Sequence, residues 1–173
     1  MKIRILVIVG SKSDLPQCKD GLAELTKQVS QGLAEVTVLV MSCHRHTEKL
    51  LARLRMVSAT DSVDFIIAAA GKAAALPGVA DSYLRYELKN DKVRVIGVAF
   101  TSGNDNTDNL AAALSITQVP GTQVIFAGQG PEGFLFACLM ARGDIPLPSI
   151  IIPEAPPSLD LSLAEALQMA TAK

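Results

Sequence analysis

Apolar residues in this chain come in short unbroken runs, separated by longer stretches in which they recur every three or four positions. Residues 3–9, IRILVIV, form one such run, rich in β-branched side chains. That pattern predicts a strand covered on both faces. Beyond a polar turn at 10–14, Leu15, Cys18, Leu22, Leu25 and Val29 share one stripe of a helix. Residues 36–40 predict a second strand, and Leu50, Leu51, Leu54 and Val57 mark a second helix. Residues 63–70 predict a third strand, followed by a small-residue segment, GKAAALPGVA, and a helix reaching Leu88. A fourth strand is expected at 93–100, a polar loop at 101–109, a short helix at 110–116, a fifth strand at 124–127 and a helix at 132–141.

Strand, turn and helix repeated in this way predict an α/β fold: a three-layer α/β/α sandwich with a parallel sheet of five or more strands. A flavodoxin-like strand order is expected, although the pattern alone fits other doubly wound orders. Ligands in such sheets bind beyond the carboxyl ends of the strands, where the order reverses. The loops at 10–14, 42–47, 71–78, 101–109 and 128–133 are therefore where chemistry should reside. A Pro-rich stretch at 145–157 breaks the alternation, and 159–172 resumes a helical pattern with Leu163, Leu167 and Ala170 aligned. The chain thus reads as a domain over 1–144 and a tail over 145–173. The tail's apolar stripe needs a surface to cover it, and a neighbouring subunit is the expected one.

Composition narrows the function. The 173 residues suit one domain, and 49% hydrophobic against 19% charged residues describes a packed core rather than a disordered chain. Sixteen basic and 17 acidic residues leave a net charge of -1, without the basic footprint of a nucleic-acid binder. Aromatic content of 4% and no Trp argue equally against base-stacking surfaces. The longest apolar runs are strand-length, too short for a membrane span. The first leads into a Gly/Ser turn rather than a small-residue cleavage site. The three cysteines, Cys18, Cys43 and Cys138, show no CxxC spacing and read as free thiols in a reducing compartment. A cytoplasmic protein is expected.

Three loops carry candidate chemistry. Gly10-Ser11-Lys12-Ser13-Asp14 joins a buried strand to a helix start, where amides and hydroxyls suit an anion. Ser13 or Asp14 serving only as a helix cap is the plainer reading. Ser42-Cys43-His44-Arg45-His46-Thr47 holds both histidines and an arginine. Imidazole exchanges protons near neutral pH, and a guanidinium grips phosphate through two bonds. Thiol catalysis would need Cys43 and a base placed across the site, and a metal would need a third ligand that the spacing does not offer. Gly71-Lys72-Ala73-Ala74-Ala75-Leu76-Pro77-Gly78 has little side-chain bulk, so backbone can approach a ligand while Lys72 adds charge. Tight helix–strand packing with a solvated Lys72 explains that loop equally well.

Together these segments resemble the PurE family. The resemblance rests on VGSKSD at 9–14, SCHRHTEKL at 42–50, AAAGKAAALPGVA at 68–80, IGVAF at 96–100 and LSITQVPGT at 114–122. They stand in family order and cover roughly the first 140 residues. The resemblance implies the flavodoxin-like fold and a homo-oligomer, typically an octamer, with active sites where subunits meet. It implies an aminoimidazole ribonucleotide-type substrate and carbon dioxide, with no metal or organic cofactor. The activity implied is conversion of N5-carboxyaminoimidazole ribonucleotide to the 4-carboxy isomer, a purine-biosynthetic mutase step. Direct carboxylation, or a nucleotide-binding paralogue with altered or lost activity, are the alternatives. By resemblance, His44 transfers the proton, Ser11 and Asp14 hold phosphate and ribose, Arg45 holds phosphate and Ser42 lines the site. Ser13, Gly71, Lys72, Ala73 and Leu76 complete the expected substrate contacts.

The chain departs from the family pattern in its third loop. A second histidine of the mutase motif GGAAHLPG is replaced by Ala75, and the motif's second glycine by Lys72. The segments TSGNDNTDN and GQGPEGFLFACLMAR, the charged stretch 85–94 and the Pro-rich tail are also atypical.

Overall fold

The structure, a computed structural model, describes residues 2–103, 106–143, 145–152 and 154–171. Five strands, β1 (Ile3–Val9), β2 (Ala34–Val40), β3 (Phe65–Gly71), β4 (Arg94–Phe100) and β5 (Ile125–Gln129), form one parallel sheet in the order β2-β1-β3-β4-β5. This is the expected flavodoxin-like order, with its reversal between β1 and β3.

The unbroken apolar runs are explained by what lies on each face. Successive strand side chains point to opposite faces, so Ile5, Val7, Val9, Ile67, Ala69, Ile96 and Phe100 join one core. That core is closed by α1 (Lys19–Ser30) and α5 (Gly130–Met140). Leu6, Ile8, Ile66, Ala68, Val95 and Ala99 join the other core. Its cover is α2 (Thr47–Thr60), α3 (Ala75–Ser82) and α4 (Asn106–Thr117). Two glycines permit close approach on β5. A Cβ at Gly133 would lie 2.5 Å from the Gly128 carbonyl carbon, and one at Gly97 would lie 2.6 Å from Val124. Gly128, at φ +120°, follows a bulge at which Val98 pairs with Gly128 rather than Ala127.

Several elements differ in detail from expectation. The first helix opens with a 3₁₀ segment, Lys12–Cys18, before α1 begins. Three residues per turn followed by 3.6 shifts the phase of the stripe. Cys18, Gly21, Leu25 and Gln28 are buried, while Val29 is 46% exposed. The expected loop at 101–109 gives way to α4 from Asn106, with 104–105 lying outside the described residues. The last helix, α6 (Leu163–Thr171), starts later than expected, and Ala172 lies outside the described residues.

Arg85, at the head of the charged stretch, is not solvated, whereas Glu87, Lys89, Asp91 and Lys92 are exposed. After α3 the chain makes a π-helical turn, Tyr83–Glu87, which carries Arg85 into the interior with no exposure. Its guanidinium donates to the Asn90 carbonyl at 2.6 Å and the Val93 carbonyl at 2.7 Å. Asp81, also buried, accepts from the Gln123 amide at 2.8 Å. Arg85 Nε and Asp81 Oδ1 are 3.1 Å apart but off-line for a hydrogen bond, so charge attraction holds them. Burial pushes the Asp81 carboxyl up and the Arg85 guanidinium down from their ordinary ranges. Removing one partner strands the other charge. Arg85→Ala is expected to cost about 3–5 kcal/mol in urea unfolding. The paired change Asp81→Asn with Arg85→Met should recover most of that loss, and a near-neutral Arg85→Ala would show that the pair adds nothing.

The tail returns to the amino end of the sheet. Arg94 donates to the Pro148 carbonyl, and the Gln123 amide group exchanges two hydrogen bonds with the Ile151 backbone. The helix α6 is capped by Ser162, whose hydroxyl and amide reach Glu165 Oε2 at 2.6 and 2.8 Å. It buries no residue, and Leu163 and Leu167 stand 88% and 64% exposed.

Candidate functional site

Register decides where the site forms. Val9 pairs with Val40 on one side and Ala69 on the other, and Gly71 pairs with Phe100. The carboxyl ends of β1 to β4 are therefore nearly level, and their four loops rim one cleft of about 520 Å³. Small side chains at the end of the central strand keep it open: Ala70 and Gly71 line it, where longer ones would fill it. Gly10 allows the β1 and β3 ends to close up, since a Cβ there would lie 3.0 Å from that of Ala70.

The first loop presents Ser11 and Asp14 to the cleft. Ser11, extended at φ -150°, caps the 3₁₀ segment by accepting from the Ser13 amide at 3.4 Å. The cap is thus Ser11 rather than Ser13 or Asp14. Ser13 does not line the cleft; its hydroxyl lies 2.9 Å from that of Ser11. Burial is the main influence on the Asp14 carboxyl and pushes it up. The Ser11 backbone amide and the positive charge of Arg45 pull the other way.

The second loop is wound around Ser42. Its hydroxyl accepts from the His44 and Arg45 amides, both at 3.3 Å. Thr47 donates to the Cys43 carbonyl at 2.6 Å. This tight turn places the His44 and Arg45 side chains at the exposed mouth of the cleft. His46 instead occupies the amino cap of α2 and is not among the residues lining the cleft. Cys43 lines the cleft, yet burial raises its thiol, which keeps it protonated and disfavours thiolate chemistry. Burial likewise pushes Cys18 and Cys138 up to about 12.

The third loop is strained. Lys72 (φ +31°) and Ala73 (φ +53°) both occupy the left-handed region, which for side-chain-bearing residues costs about 1–3 kcal/mol each. Ala74 then makes an inverse γ-turn, closed by the Ala75 amide on the Ala73 carbonyl at 2.7 Å. Leu76, 1% exposed, lies at the floor. Lys72 Nζ reaches across to Asp108 Oδ2 at 3.1 Å.

The fourth loop supplies Thr101 and Ser102, which the sequence marked only as part of a loop. Gln17 pins it to the first: its amide donates to the Thr101 carbonyl at 2.9 Å and accepts from the Thr101 amide at 3.1 Å. Ser102 donates through its amide to Asn109 at 2.8 Å and through its hydroxyl to Asp108 at 3.2 Å. No local signal marks Gln17, because its partner lies 84 residues away. Asp108 could have been read as a first-turn acid had the start of α4 been recognised. Of the expected site residues, Ser11, Asp14, Ser42, His44, Arg45, Gly71, Lys72, Ala73 and Leu76 all line the cleft.

A doubly wound parallel sheet with a cleft beyond the carboxyl ends of its strands is the arrangement in which α/β proteins bind small ligands. The chain belongs to the PurE family, as its five motifs indicated: the family model described as AIR carboxylase matches residues 4–141. A Mycobacterium tuberculosis protein named N5-carboxyaminoimidazole ribonucleotide mutase is 31% identical over 153 residues, 86% of this chain and 80% of that protein. A Pyrococcus abyssi protein of the same name is 33% identical over 138 residues, covering 80% and 71% of the two. Among solved structures, Treponema denticola PurE shares the fold with a TM-score of 0.57 at 18% identity, over 82% of this chain and 88% of that one. No helix among the described residues is long and apolar enough to cross a membrane.

The Asp14 shift has a testable sign. Its folded pKa lies above the unfolded one, so the folded state binds more protons between the two values. Its contribution to stability therefore falls as pH rises from about 4 through that raised value. Asp14→Asn is expected to raise the unfolding temperature at neutral pH, with the gain vanishing in acid. Paired melting curves across pH check this, and a gain independent of pH would remove ionisation as its cause.

Proposed function

We propose that the cleft binds a carboxylated aminoimidazole ribonucleotide and moves its carboxylate from the exocyclic nitrogen to the ring carbon, as in the mutase named for the relatives. The observation that carries this reading is the meeting of His44, Arg45, Ser11 and Asp14 in one cleft. Arg45 grips the phosphate, Asp14 and Ser11 hold ribose and phosphate, and Gly71, Ala73 and Leu76 bound the heterocycle. Ser42 shapes the turn that aims His44.

Protonated His44 gives its proton to the exocyclic nitrogen as the carbamate N–C bond breaks, its electron pair staying on nitrogen and carbon dioxide leaving. The electron-rich ring carbon attacks the carbon dioxide held beside it, forming the new C–C bond. Neutral His44 then takes the proton from that tetrahedral carbon, and the C–H electrons restore aromaticity. One proton is lent and returned, the work of a general acid that then serves as general base. Retention of carbon dioxide in a bounded cleft supplies the second half of the catalysis. Ala75, which lines the cleft at the place of the family's second histidine, favours a second reading: a nucleotide-binding paralogue with altered or lost turnover.

The same reading takes the protein as a homo-oligomer, an octamer by family habit, with the tail over 145–173 packing on a neighbouring subunit. Nine residues are too few for a free helix to be stable, and α6 carries its leucines outward.

Purified protein is expected to interconvert the two carboxylated ribonucleotides, and His44→Asn to slow this by about 10²–10⁴-fold while nucleotide binding persists. Full turnover by that variant removes His44 from the role; binding without turnover by the unaltered protein selects the paralogue reading. Supplying bicarbonate with the uncarboxylated nucleotide separates direct carboxylation. Leu163→Asp with Leu167→Asp should lower the assembly's mass in analytical ultracentrifugation without unfolding the chain, and an unchanged mass would place the tail elsewhere.

A further inference from the structure

Lys72 is unexplained by packing and by the chemistry assigned so far. Its backbone is left-handed at φ +31°, a conformation that glycine adopts freely and a lysine does not. Backbone strain of this kind clusters at ligand sites, held there by the structure around it. The side chain is 75% exposed, so burial does not account for it. Its ammonium is held 3.1 Å from Asp108 Oδ2, and Asp108, 21% exposed, is itself tied to the Ser102 hydroxyl at 3.2 Å. The pair therefore joins the third loop to the first turn of α4, beside the cleft that Lys72 and Ser102 line.

The substrate class proposed above has two anionic ends, a phosphate and a carboxylate. The cleft has two lining residues of fixed positive charge among the described residues, Arg45 beyond β2 and Lys72 beyond β3. Arg45 suits the phosphate, since a planar fork matches its oxygens. We propose that Lys72 is the specificity-determining residue that reads the substrate's carboxylate, with Asp108 holding the ammonium in place until that carboxylate arrives. The ion pair is open to water on its lysine side, which weakens it, so Asp108 yields its partner readily. A ligand carboxylate brought in by the phosphate grip meets the same ammonium in a drier setting, where charge-assisted bonds strengthen. Asp108 thus acts as an internal stand-in for the ligand's own carboxylate. The inference rests on the function proposed above, and adds to it the group that distinguishes carboxylated from uncarboxylated nucleotide.

Calorimetric titration of the full chain with 4-carboxyaminoimidazole ribonucleotide and with aminoimidazole ribonucleotide tests this. Lys72→Met is expected to weaken the carboxylated ligand by about tenfold or more, the loss of one charge-assisted bond, and to leave the uncarboxylated one within about twofold. Lys72→Arg should keep the discrimination, and Asp108→Asn should tighten the carboxylated ligand alone, because its competitor is gone. Equal losses on both ligands, or none, with Lys72→Met would overturn the assignment while leaving the nucleotide site standing. Weaker carboxylate binding by Asp108→Asn would overturn the stand-in role. Unaltered protein that binds neither nucleotide overturns the proposed substrate itself, and this inference with it.

Discussion

The level ending of four parallel strands is the constraint on which the cleft depends. Parallel pairing of β1 with both β2 and β3 fixes Val40, Val9 and Ala69 in one row, and β4 follows through Ala69 and Val98. A slip of one residue in any strand would turn its core side chains to the wrong face. Burial on both faces therefore makes the register costly to change, and four loops inherit a fixed spacing from it. His44 and Arg45 need no long-range partner of their own, because Ser42 fixes their turn at the end of a strand already held in place. Rigid elements carry the loops, and the loops carry the chemistry.

The two ends of the sheet are held differently. At the amino end, polar groups are paired: Arg4 meets Asp64 through Nη2 at 2.5 Å and Nε at 3.1 Å, which draws the Asp64 carboxyl below its usual range. Arg85 anchors the turn into β4 through two carbonyls, and Asn90 closes it by accepting from the Val93 amide at 2.9 Å. At the carboxyl end the order inverts. Asp14 is raised by burial, and Lys72 and Ala73 are left-handed. Unfavourable local choices collect where a ligand can relieve them, while the opposite edge holds the fold together.

Much of this was legible in the sequence because its signals are local. Unbroken β-branched runs report strands covered on both faces, and residues 3–9, 63–70 and 93–100 located three of them to within two residues. The loops followed from the strands, so the cleft residues were nameable before any geometry was known. What stayed hidden was non-local or conformational. Val29 lies one turn beyond Leu25, yet the buried face of α1 runs through Gly21, Leu25 and Gln28 and leaves it 46% exposed. Asn106-Thr107-Asp108-Asn109 are poor helix formers, yet α4 starts there, its first-turn side chains organising the loop before it. Arg85 reads as surface from its charge, and only Asp81 and the carbonyls of Asn90 and Val93 make its burial tolerable. Gln17 has no sequence signature at all.

The third loop shows how a site changes while its scaffold does not. Ala75 and Lys72 stand where the family motif has a histidine and a glycine, while Ala74 and Leu76 beside them fill the interior. The exchange alters what the cleft presents: less imidazole, more fixed positive charge. In the function proposed above, proton transfer rests on His44 and the Lys72 charge serves binding. An anion drawn to Lys72 must compete with Asp108, an acid supplied by the helix that the preceding strand leads into. Strand ends set the distances, and the residues just beyond them decide which anion is worth holding.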